Sequence, residues 1–163
     1  MIDELGNDYH LVEEGLSGRT TAHSDPVEGE HKNGLAVLPA LLESHMPIDY
    51  FVMMLGSNDL KARFAVTAFE ISIGIQRLVQ AVQRSGAGPN FAAPEILLIS
   101  PPAIFERSFL AGMFKGGRLK PLALPNMSAM SPRSWERNLS MLRRSSIRIR
   151  MTAFISPQNR IIS

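Results

Sequence analysis

No cysteine occurs among the 163 residues. That excludes disulfides, thiolate nucleophiles and Cys-ligated zinc. No apolar run approaches the roughly 20 residues that a membrane helix needs. The opening Met1-Ile2-Asp3-Glu4-Leu5-Gly6-Asn7-Asp8 has neither a basic region nor an apolar stretch. No signal peptide is read there, and a cytoplasmic location is expected. What the chain does have is 45% hydrophobic and 20% charged residues, a composition that buries a core, and a length that suits one domain.

Charge is unevenly spread. Residues 1–130 hold 10 Lys+Arg against 14 Asp+Glu, a balance of −4. Residues 131–163 hold 7 Arg, no Lys and the single acid Glu136, a balance of +6. The net +2 and the pI near 9.3 therefore come from a short tail on an acidic body. A basic pI ordinarily points to nucleic acid or an anionic membrane. Here a short tail creates it, and neither partner is expected; for nucleic acid, the tail also has only Trp135 and Phe154 to stack on bases.

Strands alternate with helices along the body. Tyr9 to Glu14 alternates as a short strand, and the polar stretch from Gly15 to Gly34 is a loop. Leu35, Leu38, Leu41 and Leu42 mark a helix to His45, with Pro47 beyond its end. Tyr50 to Leu55 is a continuous apolar run, the pattern of a parallel strand buried on both faces. Thr67 and Glu70 form a capping-box pattern for a helix to about Arg84, with Ile71, Ile75, Leu78, Val79 and Val82 as its buried stripe. Glu95 to Ser100 reads as another strand, and Ile104 to about Leu124 as a helix interrupted at Gly116-Gly117. This order predicts a parallel sheet with helices on both faces. Function in such sheets lies beyond the C-terminal strand ends, here at 15–21, 56–61 and 100–105. After about Pro125 no clean period remains.

Two of those segments carry chemistry. Gly56-Ser57-Asn58-Asp59 directly follows a buried strand. An Asn carboxamide there either donates to a developing oxyanion without changing charge or makes an Asx-turn or helix cap. Gly15-Leu16-Ser17-Gly18-Arg19-Thr20-Thr21 follows the first strand, where a glycine lets backbone N–H groups approach a ligand closely. An ordinary strand-to-helix turn has the same composition. No G-x-G-x-x-G or Walker pattern occurs, so nucleotide binding has little support. His10, His23, His31 and His45 show no metal-ligand spacing; His23 and Asp25 are read as loop residues rather than as a shared cation site.

Taken together and in order, Glu13-Glu14-Gly15-Leu16-Ser17-Gly18-Arg19-Thr20-Thr21, Leu38-Pro39, Leu42-Glu43-Ser44-His45, Met54-Leu55-Gly56-Ser57-Asn58-Asp59-Leu60-Lys61 and Ser100-Pro101-Pro102 resemble the SGNH hydrolases, or GDSL esterases. The likeness is greatest to their arylesterase and acyltransferase branch and spans about residues 5–125. It implies a flavodoxin-like three-layer α/β/α sandwich with a parallel sheet, and Ser-His-Asp hydrolysis of short acyl or aryl esters without metal or cofactor. It assigns Gly18 and Asn58 to the oxyanion hole. Small-molecule esters are the implied substrates, and assembly into homo-oligomers is in keeping with the loop architecture.

Two blocks of that family do not occur in the 163 residues. There is no Gly-Asp-Ser-Leu, which would carry the nucleophile after the first strand, and no Asp-x-x-His, which would supply the acid and base. Ser17 and Ser57 lie at oxyanion-loop positions, with no base placed to activate either. The expected fold is therefore the sandwich without its first and last strands: residues 1–125 as a partial hydrolase domain, residues 126–163 as a basic tail, out of frame or disordered. With the central first strand gone, the strand at 9–14 should lack a neighbour and the product should aggregate.

The genetic code sharpens the reading of the tail. Taken from the third base of each codon, Met151-Thr152 must give Asp, Thr152-Ala153 permits Gly, Ala153-Phe154 gives Phe, Leu, Ile or Val, and Phe154-Ile155 gives His or Tyr. The Asp-Gly-Ile-His of this family branch fits that pattern. Trp135-Glu136 likewise must give Gly. Residues after about 125 are thus read as translated in the wrong frame. The alternative for the whole chain is a non-catalytic α/β module that binds small molecules or proteins through a retained crevice.

Overall fold

The structure, a computed structural model, describes residues 9–101, 104, 111–116 and 149–155. Its elements in chain order are β1 (Tyr9–Glu13), α1 (Gly34–His45), β2 (Tyr50–Met54), α2 (Ala68–Arg84), β3 (Glu95–Leu98) and β4 (Ile149–Ile155), with short 3-10 turns between them. The four strands form one sheet in the order β1-β4-β2-β3, and every pair is parallel.

Each helix starts where its sequence supplies a cap. The Asn33 side chain accepts from Ala36 N–H at the head of α1. At α2, Thr67 accepts from Glu70 N–H while the Glu70 carboxylate accepts from Thr67 N–H, a complete capping box. The predicted stripe of Ile71, Ile75, Leu78, Val79 and Val82 is buried. It meets Leu38 and Leu42 of α1 and Phe51 and Met53 of β2 in one core. Each such side chain contributes roughly 1.5–3 kcal/mol by leaving water. Val52, alternating to the other face of β2, is also buried. The continuous apolar run at 50–55 thus reflects a strand covered on both faces. This is the flavodoxin-like α/β/α arrangement with a parallel sheet.

Three differences from the sequence reading stand out. The strand expected at 95–100 is assigned to Glu95–Leu98, although Ile99 N–H still donates to the Met53 carbonyl at 2.9 Å. The helix expected from 104 to 124 lies mostly outside the described residues, and residues 111–116 form turns. The third concerns the tail. Residues 149–155 form β4, which sits between β1 and β2 and pairs with both. The strand at 9–13 therefore does have a neighbour. It is supplied from the far end of the chain, a pairing that no local pattern predicts.

Candidate active site

β1 and β2 end on either side of β4, and the two loops that leave them meet. The loop after β1 turns at Arg19 N–H to the Leu16 carbonyl, 3.1 Å. Gly18 sits at φ +85°, in the left-handed region that glycine occupies without penalty. A Cβ on Gly18 would lie 2.2 Å from Glu28 Oε2, so the loop packs on itself at this point. Farther along, the Thr20 and Thr21 carbonyls accept from Gly34 and Leu35 N–H at 3.2 and 2.9 Å. The loop thereby satisfies the first donors of α1, which have no partner inside the helix.

The turn after β2 is buried throughout. Ser57 to Leu60 are all below 9% exposure, and Asn58–Leu60 form a single 3-10 turn. Neither Asn58 nor Ser57 caps that turn with its side chain. Instead Asn58 Nδ2 donates to the Arg19 carbonyl at 3.0 Å, 39 residues away in sequence. The neighbouring Asp59 is fully buried and takes Thr21 N–H on both carboxylate oxygens at 3.0 Å and the Thr21 hydroxyl at 2.6 Å. Two adjacent side chains of one loop therefore grip two nearby residues of the other. Gly18 and Asn58, the two residues singled out from sequence, are brought to the same place. Ser57 Oγ is buried and finds no hydrogen-bond partner among the described residues.

Charge completes the grip. Asp25 and Glu28 come from the first loop, Lys61 and Arg63 from the segment after the second. Lys61 Nζ lies 2.5 Å from Glu28 Oε1 and 3.6 Å from Asp25 Oδ2, and Arg63 bonds to Asp25 Oδ2 at 2.6 Å and to Glu28 Oε1 at 2.5 Å. Asp25 also accepts Val27 and Glu28 N–H at 2.9 and 3.0 Å. Burial alone would push the Asp25 carboxyl up; the Glu28 N–H, Arg63 and the Val27 N–H outweigh it and hold the pKa at about 2. Glu28 is likewise pushed up by burial and brought below its ordinary value by Lys61 and Arg63.

The histidines have local roles. His23 Nδ1 stands 3.0 Å from Asp59 Oδ1, and this hydrogen bond raises the imidazole pKa against the lowering effect of burial. His23 and Asp25 do not share a ligand position, because Asp25 faces Arg63 instead. His45 Nε2 lies 2.7 Å from Glu14 Oε1 and ties the end of α1 to the residue after β1. Among the described residues no group of three or more His, Cys, Asp or Glu is arranged to hold a metal ion. No described helix is long and apolar enough to cross a membrane. The four-charge cluster and the Asp59 clamp were not found from sequence, since their partners lie 33–38 residues apart and leave no motif. The third segment expected at the site, 100–105, is described only at Ser100, Pro101 and Ile104.

A parallel flavodoxin-like sheet has its strand-end loops joined through a buried Asn-Asp pair, and solved esterases share this fold. The inhibitor-bound aryl esterase of M. smegmatis is 32% identical, with 97% of this chain and 71% of that one covered and a TM-score of 0.69. A carbohydrate acetylesterase family member from Sinorhizobium meliloti is 35% identical over 96% of this chain and 72% of that one, with a TM-score of 0.68. A further carbohydrate acetylesterase from Sinorhizobium meliloti is 33% identical over 93% and 66%, with a TM-score of 0.67. Neither a protein-family model nor a curated protein matches the chain. The chain belongs to the SGNH hydrolase (GDSL esterase) family, in its arylesterase and acyltransferase branch.

Proposed function

We propose that this chain carries the oxyanion-binding half of an ester hydrolase for short acyl or aryl esters, without the half that performs the chemistry. The observation behind this reading is the paired grip of Asn58 on Arg19 and Asp59 on Thr21, which holds the Gly18 loop against the Asn58 turn. In the intact family a serine attacks the ester carbonyl, a histidine takes its proton and an aspartate orients the histidine. Negative charge then grows on the carbonyl oxygen. Gly18 N–H and the Asn58 amide would meet it there, each such donor worth roughly 2.7–4 kcal/mol in the transition state. The 163 residues contain no Gly-Asp-Ser-Leu and no Asp-x-x-His. Ser57 Oγ, though beside Asn58, has no hydrogen-bond partner among the described residues.

The domain reading follows the same line. Residues 1–125 are the partial hydrolase domain, and residues 126–163 are an out-of-frame tail. The reversal of charge after residue 130 and the Asp and His/Tyr codons hidden in Met151–Ile155 support it.

Two measurements test these statements. Hydrolysis of a short-chain nitrophenyl ester by the purified chain should stay at the buffer rate. A rate that co-purifies with the chain overturns the inactive reading, and its loss in Asn58→Ala would assign that rate to this site. Resequencing the coding DNA through both ends and translating all forward frames should reveal Gly-Asp-Ser-Leu upstream and Asp-Gly-apolar-His in a shifted frame. Finding neither overturns the frame reading.

A further inference from the structure

The place of β4 in the sheet is not the place its position in the chain suggests. β1 and β2 share no pairing; each pairs with β4. Leu11, Val12 and Glu13 face Met151, Thr152 and Ala153 on one flank, and Tyr50, Phe51 and Val52 face the same three residues on the other. Without residues 149–155 the sheet is two pieces, β1 alone and β2 with β3. In a doubly wound sheet of order 2-1-3-4-5 that central position belongs to the first strand.

We propose that the slot between β1 and β2 is a strand-binding site, that its ligand is an extended polypeptide segment running parallel to both edges, and that residues 149–155 of the same chain occupy it as a built-in donor strand. Backbone chemistry drives the occupancy. An empty slot leaves two facing rows of N–H and C=O groups without partners, and one inserted strand satisfies both rows and its own. This is strand addition of the kind seen in donor-strand complementation, made internal.

The covalent connection favours the chain's own segment over a second copy. β3 ends at Leu98 and β4 begins at Ile149. Loop-closure cost grows only with the logarithm of that length, about 0.6 kcal/mol per doubling. A tethered strand meets its slot at an effective concentration in the millimolar range for short flexible links, falling roughly as the −3/2 power of length. The same segment on another molecule meets it at the micromolar concentration of a dilute solution. The inference rests on backbone pairing alone and stands or falls separately from the esterase reading.

The absence of cysteine makes the test clean. The full chain is prepared as two double variants, Val12→Cys with Thr152→Cys and Val52→Cys with Ala153→Cys, each pair in register across one flank of β4. A third variant, Val12→Cys with Phe154→Cys, is displaced by two residues, beyond the roughly 7 Å over which two Cα atoms can be bridged. Mild oxidation of dilute protein should close a disulfide within one chain in both matched variants, with monomer mass and faster mobility on a non-reducing gel. The displaced pair should stay reduced. Matched pairs that stay reduced, or that link two chains, overturn the proposal. Amide hydrogen exchange of the unsubstituted chain supplies a readout that no variant can spoil. Peptides covering 149–155 should exchange roughly tenfold or more slowly than the same peptides free in solution. Exchange at the free-peptide rate overturns the proposal.

Discussion

The two loops at the candidate site are built on opposite principles. The turn after β2 is short and buried, carried by an apolar strand between covered faces. The loop after β1 is long and polar, and among its residues 15–29 only five are buried: Gly18, Arg19, Thr20, Thr21 and Asp25. The turn after β2 holds its shape through its own strand. The loop after β1 takes its shape from what that turn and the residues beyond it offer: an Asn amide, an Asp carboxylate, a Lys and an Arg. The lesson is one of dependence. The segment bearing Gly18 has no core of its own, so its geometry is only as good as the buried polar groups that reach across to it. Such groups are stabilising when fully partnered and costly when one partner is lost.

The largest break in that dependence should come at Asp59. Replacing it by Ala strands the Thr21 N–H and hydroxyl in a buried space and leaves His23 without its carboxylate. Removing one member of a buried charged network costs roughly 3–5 kcal/mol. The fall should appear as a lower urea midpoint at unchanged slope. Asp59→Asn should recover part of it by keeping one acceptor oxygen. A loss below about 1 kcal/mol would mean that the first loop stands without the clamp.

Acid should loosen the same contact from the other side. The Asp25 pKa is held at about 2, below its ordinary 3.8. A depressed carboxylate contributes stability that is fully present above the unfolded value and disappears as pH falls toward the folded one. The window is therefore from about pH 4 down to about pH 2, and the contribution is roughly 2 kcal/mol by proton linkage. Glu28 is lowered in the same sense and adds to the slope. Unfolding midpoints measured across that window should fall more steeply for the parent chain than for Asp25→Asn.

Gly18→Ala tests the loop at its tightest point. The substitution places a side chain at φ +85°, which costs an L-residue roughly 1–2 kcal/mol. It also sets a methyl against Glu28 Oε2, on a carboxylate whose other oxygen, Oε1, Lys61 and Arg63 hold in place. Destabilisation of that size, with α2 and β2 still protected from hydrogen exchange, would locate the effect in the loop rather than in the core.

The division between readable and unreadable features follows range. β2, the apolar stripe of α2 and the Thr67–Glu70 capping box were legible because each is written in residues a few positions apart. The segments 13–21 and 54–61 stood out as motifs, and the structure brings them together. The clamp itself was not, because Asp59 and Thr21 are 38 residues apart and neither is unusual in its own segment. β4 was hidden for the same reason and one more. Ile149-Arg150-Met151-Thr152-Ala153-Phe154-Ile155 is a passable strand sequence inside an Arg-rich stretch. Nothing local marks it for the centre of a sheet whose other described strands end at Leu98.

His23 gives the smallest expected effect and the finest resolution. Its imidazole is raised by the Asp59 hydrogen bond, with Glu70 adding attraction and burial opposing. The Phe64 ring lies 6.0 Å from its own, and the Arg63 guanidinium sits over the same Phe64 ring. A histidine raised by its partner contributes stability that is fully present below its unfolded pKa. That contribution is lost as pH climbs through the higher folded one. The loop should therefore hold best in mildly acidic solution and slacken on the basic side of neutrality, while Asp25 sets the acid limit. In His23→Gln the amide retains a hydrogen bond to Asp59 but no proton titrates, so the slope near neutrality should flatten while the fall between pH 4 and pH 2 persists. Loss of both slopes together would show that the Asp59 clamp and the Asp25–Arg63 pair act as one unit. Retention of the neutral slope in His23→Gln would overturn His23 as its origin.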